Sequence, residues 1–252
     1  MRLSKKRLRQ AIKAMNMIQF MRQLSGRFSS TMAASQPNNA SQMARFRRYQ
    51  KEAQQDVLQV PFSELPMVVF DLETSGFNPD QGDGILSIGA VKIKGADIEH
   101  DHFYETVKSK HPPSKDVLDL TGLTALELEN SRLIGEVLLA FYDFVGSSTL
   151  IAHHAAHERR FLRHATWQEL GKTFTHRLVD TTFLTSITAA HQGELKTLDE
   201  WCEAYGIVVR KRHHALADAQ MTAQLWTKHV TIAHHAGYFC LSDIYKELAI
   251  KK

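Results

Sequence analysis

Residues 66–76 read PMVVFDLETSG. The apolar run Met67 to Phe70, with valines at its centre, suits a short buried strand. It ends in Asp71-Leu72-Glu73, and residues i and i+2 of an extended chain point to the same face, so both carboxylates project together from the strand end. Two acids in that place are costly in a core and useful at a site, because a hard divalent cation prefers carboxylate oxygens. Behind them Ser75, Gly76, Asn78, Pro79, Gly82, Asp83 and Gly84 form a dense cluster of turn residues. Phe77, inside that cluster, is placed either to stack on a nucleobase or to plug the turn from below.

Outward from this stretch the pattern alternates. Ile85 to Ile93 and His102 to Val107 read as two further strands. Thr124 with Glu127 forms a capping box, and Leu133, Ile134, Val137, Leu138, Phe141 and Phe144 mark one long helix. Leu150 to Ala152 is a strand followed by a helix bearing Phe161 and Leu162. Leu178 and Val179 form a short strand with Asp180 at its end, Thr197 and Glu200 make a second capping box, and Leu216 to Val230 is the last long helix of the body. Strands first, then alternating strand and helix, predict an α/β fold with a mixed sheet covered by helices.

Two more constellations carry chemistry. In HHALADA, residues 213–219, five positions separate His213 from Asp218, about 500° of helix, so the two cannot share a helical face. His213 must lie in the preceding loop if both serve one site. There it is free to swing over a bound water, and an unperturbed imidazole with a pKa near ~6.5 suits a general base. In IAHHAAHERRFL, residues 151–162, a strand runs into a helix and sets Glu158 near the helix's first turn, where the dipole favours a carboxylate. His154, His157 and Glu158 do not make the zinc-binding H-E-x-x-H pattern, because Phe161 stands where the second histidine belongs.

FDLETSG, IAHHAAHERRFL and HHALADA together resemble, in order and spacing, the three motifs of the DEDDh 3′–5′ exonucleases, and within that group the epsilon-type proofreading subunits of bacterial DNA polymerase III. The resemblance covers roughly residues 66–232. It implies an RNase H-like fold with a central mixed five-stranded sheet, one strand antiparallel. It implies that Asp71, Glu73 and Asp218 are metal ligands and that His213 is the general base. It also implies two divalent cations, Mg²⁺ or Mn²⁺, and release of nucleoside monophosphates from single-stranded or frayed DNA 3′ ends. Thr74, Phe77 and His153, beside the first two motifs, are the expected nucleic-acid contacts.

The middle motif departs from the family, which places Asn, Phe and Asp where this chain has His154, His157 and Glu158. Glutamate adds a C–C bond of about 1.5 Å against a tolerance of about 0.5 Å at a catalytic site. Glu158 is the expected fourth carboxylate, with Asp180 in reserve. This departure keeps open a catalytically weakened nucleic-acid-binding module, a polymerase accessory subunit, and an oligoribonuclease-like RNA exonuclease.

Composition frames the domains. The chain has 252 residues, 43% of them hydrophobic, and 31 basic against 27 acidic side chains. That length and apolar content exclude a wholly disordered chain. Two cysteines, Cys202 and Cys240, exclude a disulfide scaffold and a Cys-ligated zinc finger. No apolar run reaches the ~18 residues of a membrane span. The charge is divided: residues 1–50 hold eleven Lys and Arg and no acid, leaving 20 basic and 27 acidic residues in the rest. Residues 1–57 are therefore expected to be a basic, partly helical extension, with Leu8, Ile12, Met15, Ile18 and Met21 on one helical face, a linker near 29–42 and a second helix from Met43 to Val57. Residues 66–232 form the expected exonuclease domain and 233–252 a helical tail. The extension suits an electrostatic clamp, a helix docked on the body, or an organelle transit peptide. The expected setting is the bacterial cytoplasm, or the mitochondrion in the last case.

Overall fold

The computed structural model describes residues 37–189 and 196–250. Its contacts divide the chain into residues 1–43 and 44–252. The proposed helix over Leu8 to Met21 lies outside the described residues.

The core of the second unit is a five-stranded sheet in the order β3-β2-β1-β4-β5. The strands are β1 (Pro66–Thr74), β2 (Ile85–Lys94), β3 (Asp97–Thr106), β4 (Thr149–Ala152) and β5 (Leu178–Asp180). β2 runs antiparallel to both β1 and β3, whereas β1, β4 and β5 pair in parallel. One antiparallel strand in a mixed sheet is the topology that the motif resemblance implied. β1 is central because Val68, Val69 and Phe70 can all be buried, and each has no exposed surface.

Nine helices are described: α1 (Pro37–Glu52), α2 (Lys115–Thr121), α3 (Ala125–Asn130), α4 (Ile134–Val145), α5 (Ala156–Leu170), α6 (Thr181–Thr188), α7 (Leu198–Tyr205), α8 (Ala215–His235) and α9 (Leu241–Ile250). At α7 the Thr197/Glu200 capping box is complete; at α3 Thr124 caps Glu127 N–H through its hydroxyl, without the reciprocal bond. Cores form on the sheet faces. Met67, Val69, Val91 and Ile93 pack with Trp226 and Val230 of α8, while Phe70 meets Phe141 of α4 at 5.6 Å.

The bounds of the helix in the basic extension differ from those expected. Residues 37–42, assigned to a linker, begin α1, and the helix expected over Met43 to Val57 ends at Glu52. The polar residues there do not break a helix, and the apolar anchor comes later: Phe46 is buried against Tyr142, and Arg45 grips Asp143 with bonds of 3.0 and 2.6 Å. Residues 233–252, expected as a helical tail, hold the end of α8 and α9, and Leu241 and Ile244 of α9 are buried in one cluster with Phe62, Leu65 and Trp226. No helix among the described residues is long and apolar enough to cross a membrane.

Candidate active site

The site lies where the carboxyl ends of β1, β4 and β5 open, the usual position for function in an open α/β sheet. Asp71 and Glu73 sit on β1, paired with Gly89 and Ser87 of β2, and a bulge follows Glu73. Asp218 comes from the first turn of α8. Ligand oxygens of the three lie within 4.8 Å of one another. Gly89 makes this convergence possible. A Cβ at Gly89 would stand 2.1 Å from the Leu216 nitrogen and 2.2 Å from the Ala215 carbonyl carbon, so the bare glycine lets the start of α8 lie directly on the sheet.

The carboxylates burden one another. Burial first, then Glu158, Glu73 and Asp218, push Asp71 well above the usual carboxylate range. Burial and Asp218 raise Glu73 to about 7, and Arg212 opposes both shifts. Glu158, 5% exposed on the inner face of α5, is raised to about 8 by burial and by Asp180 and Glu73. It thus stands close enough to interact with the β1 acids, although it lies outside the tight trio. Asp218 Oδ1 and Glu158 Oε2 are buried with no hydrogen-bond partner among the described residues. Buried carboxyl oxygens left without a partner in this way are expensive. A hard divalent cation relieves both the repulsion and the missing bonds, so the donor set fits such an ion.

His213 lies in the loop before α8, as the 500° argument requires, and half-exposed. Its φ is +57°, and its backbone N–H donates to Asp218 Oδ2 at 3.1 Å. Across the site His154 has φ +52°. These are the only non-glycine residues with positive φ among those described, and both flank the carboxylates. Backbone strain of this sort, worth roughly 1–3 kcal/mol, gathers at functional sites. The neighbouring His214 stacks on Tyr104 at 4.5 Å, which fixes the loop from its other side.

Of the expected nucleic-acid contacts, Phe77 is 75% exposed, so it does not plug the turn. Thr74 Oγ1 donates to the Gly76 carbonyl at 2.8 Å, so it must accept from His157 Nε2–H at 3.2 Å. His157 in turn meets the Phe77 ring edge-on at 6.0 Å. His153 is different. Its Nε2 donates to the Lys196 carbonyl at 3.1 Å and its Nδ1 accepts from the Thr181 hydroxyl at 2.7 Å. Burial, with His154 nearby, lowers its pKa to about 4, which keeps it neutral. Both nitrogens are bonded inside the chain, where His153 braces α6 against the loop before α7.

Asp180, the reserve carboxylate, is bonded within the chain as well. Its Oδ1 caps Thr182 N–H at 2.9 Å and its Oδ2 accepts from Ala155 N–H at 2.8 Å, so it anchors the starts of α6 and α5. The sequence reading passed over Arg212, whose Nη1 donates to Asp218 Oδ2 and whose Nε donates to Asp199 at 2.5 Å. It also passed over Gly89, although a lone glycine within a strand signals a close backbone approach.

Comparison with known proteins places the family and the fold. The exonuclease family model RNase_T matches residues 68–226. A DNA polymerase III PolC-type protein of Thermotoga maritima is 35% identical over 185 residues, 73% of this chain and 13% of that protein. A DNA polymerase III subunit epsilon-like protein of Rhodobacter capsulatus is 31% identical over 174 residues, 68% of this chain and 24% of that protein. The chain thus spans a quarter or less of these relatives. Among solved structures, exonuclease X in complex with 5′ overhanging duplex DNA aligns with a TM-score of 0.55 at 22% identity, covering 71% of this chain and 98% of that one. A full-length 3′-exonuclease aligns with a TM-score of 0.60 at 16% identity, covering 71% and 64%. The chain belongs to the exonuclease family and has its RNase H-like fold.

Proposed function

We propose that this chain is a metal-dependent 3′–5′ exonuclease that releases nucleoside monophosphates from single-stranded or frayed DNA ends. The observation that carries the reading is the meeting of Asp71, Glu73 and Asp218 within 4.8 Å, with Glu158 buried beside them. Asp71, Glu73 and Asp218 would hold two divalent cations, Mg²⁺ or Mn²⁺, with Glu158 as the fourth acid. Such ions lower the pKa of water and neutralise charge on a phosphodiester under in-line attack. His213, on its strained loop, takes the proton from the attacking water at an imidazole nitrogen. Thr74 and Phe77 position the terminal nucleotide, the ring by stacking on its base.

The DNA preference is supported by relatives named as DNA polymerase III components and by the DNA in the exonuclease X complex. The same relatives support a place beside a DNA polymerase in the bacterial cytoplasm. A second reading, a binding module without turnover, is favoured by one observation: a glutamate stands where the family has aspartate.

Matched DNA and RNA oligomers labelled at their 5′ ends test both readings. A ladder shortening from the 3′ end of DNA in Mn²⁺, abolished by EDTA and by Asp71→Ala, is expected. Salt-sensitive binding with no shortening in Mn²⁺ or in Mg²⁺ would overturn hydrolysis in favour of the binding module. Faster loss of RNA than of DNA would overturn the DNA assignment.

A further inference from the structure

Glu158 and the outer face of its helix point in opposite directions. On α5, Glu158, Phe161, Leu162 and Thr166 are buried, while Arg160, Arg163 and Trp167 are exposed along one side with His157 and His164 between solvent and core. Trp167 is 62% exposed, although both other tryptophans of the chain, Trp201 and Trp226, are buried. An exposed indole beside two arginines joins a flat stacking surface to cations, the pair of groups that single-stranded nucleic acids bind.

Two depressions line this side. One is bounded by Phe77, His154, His157 and Arg160, with His157 adjacent in sequence to Glu158; the other by Arg159, Arg160, Arg163, His164 and Trp167. They share Ala156 and Arg160, so they form one strip leading away from the site. Asp80 is the sole acid lining it, and that carboxylate is bonded to His164 Nδ1 at 3.1 Å. Neither Arg160 nor Arg163 has an acidic partner among the described residues. Against a body with 20 basic and 27 acidic residues after position 50, this strip is a local concentration of positive charge. From His157 to Trp167 it runs ~15 Å, ten residues of helix at ~1.5 Å each.

We propose that this face of α5 is a track for the single-stranded DNA upstream of the 3′ end, an inference that rests on the exonuclease reading. Arg160 and Arg163 hold phosphates, and Trp167 stacks on a base a few nucleotides from the one cut. Alternating cation and aromatic contacts are how single strands are bound without regard to sequence.

Labelled dT12 tests the track in the full chain carrying Asp71→Asn, which spares the probe from cleavage. Trp167→Ala is expected to weaken binding at least fivefold. Arg160→Gln with Arg163→Gln should reduce the slope of log K against log salt by about 1.4, two phosphates at ~0.7 each. dT12 should also quench tryptophan emission, and Trp167→Phe should remove that quenching. Hydrolysis of dT12 by the unsubstituted chain in Mn²⁺ is measured alongside. Cleavage with unchanged affinity and slope in the variants overturns the track and spares the exonuclease. Variant-sensitive binding without cleavage upholds the track and overturns hydrolysis, and absence of both overturns both.

Discussion

Arg212 and Asp218 are bonded, guanidinium Nη1 to carboxylate Oδ2, and the other oxygen, Oδ1, is left buried without a partner among the described residues. The arginine therefore orients the carboxylate from one side and leaves the opposite side for a cation. Its charge also lowers the pKa of both Asp71 and Glu73. Glu73, at about 7, must lose its proton before it can ligate a cation, so affinity for Mn²⁺ should rise as pH rises through about 7. Arg212→Ala removes the opposing charge and should move that midpoint upward, whereas Arg212→Lys should move it less. Calorimetric titration of Mn²⁺ between pH 5.5 and 9 checks the shift, and an unchanged midpoint in the alanine variant would contradict the electrostatic role.

Gly89→Ala should damage the site from behind. The added methyl meets the backbone of Ala215 and Leu216, which cannot swing aside as a flexible side chain can. Overpacking of this kind costs about 1–3 kcal/mol. The start of α8 must lift, and Asp218 lifts with it. Turnover should therefore fall by more than the loss of folded protein explains. Urea unfolding combined with the specific activity of the folded fraction separates the effects, and proportionate losses would show that the close approach serves packing alone.

Glu158 makes stability and activity oppose each other. Its carboxyl titrates near 8 in the fold against 4.5 ordinarily. Between those values the native state holds a proton that the unfolded chain has released, so this group's contribution to stability falls as pH rises from about 4.5 through about 8. Glu158→Gln removes that dependence. Without cations the variant should melt above the unsubstituted chain at pH 9 and together with it near pH 4.5, each kcal/mol recovered being worth roughly 2–4 °C. Mn²⁺ at pH 8 should reverse the order, since only the carboxylate gains a ligand bond. Thermal unfolding in EDTA and in Mn²⁺ reads both arms, and a melting difference independent of pH would deny that Glu158 is a buried acid.

What the sequence disclosed, and what it hid, follows the range of each interaction. The Asp71/Glu73 pair was legible because a period of two is a property of one strand, and the loop position of His213 was legible because helical angle is a property of one helix. The Thr197/Glu200 capping box spans four residues and was read correctly. Asp180 was taken for a spare carboxylate because its bond to Ala155 N–H crosses 25 positions. The local half of its role, capping Thr182, was present in the Asp-Thr-Thr sequence. Arg212 could not be chosen among its basic neighbours Arg210 and Lys211 without knowing which one faces Asp218. His153 was expected at the nucleic acid, and its bonds inside the chain were hidden because its partners, Thr181 and Lys196, lie 28 and 43 residues away.

His213 offers the sharpest separation of chemistry from architecture. Its φ of +57° is a conformation that alanine tolerates poorly and asparagine tolerates well, so His213→Ala confounds lost base with altered loop. His213→Asn keeps the left-handed backbone and the N–H donated to Asp218 Oδ2, and removes only the basic imidazole. A general base contributes typically ~10²–10⁴ in rate. The asparagine variant should lose turnover in that range while its Mn²⁺ affinity and melting temperature stay within a small factor of the unsubstituted chain. If Mn²⁺ affinity falls in step with turnover, His213 is holding Asp218 in place through its backbone and is not the base.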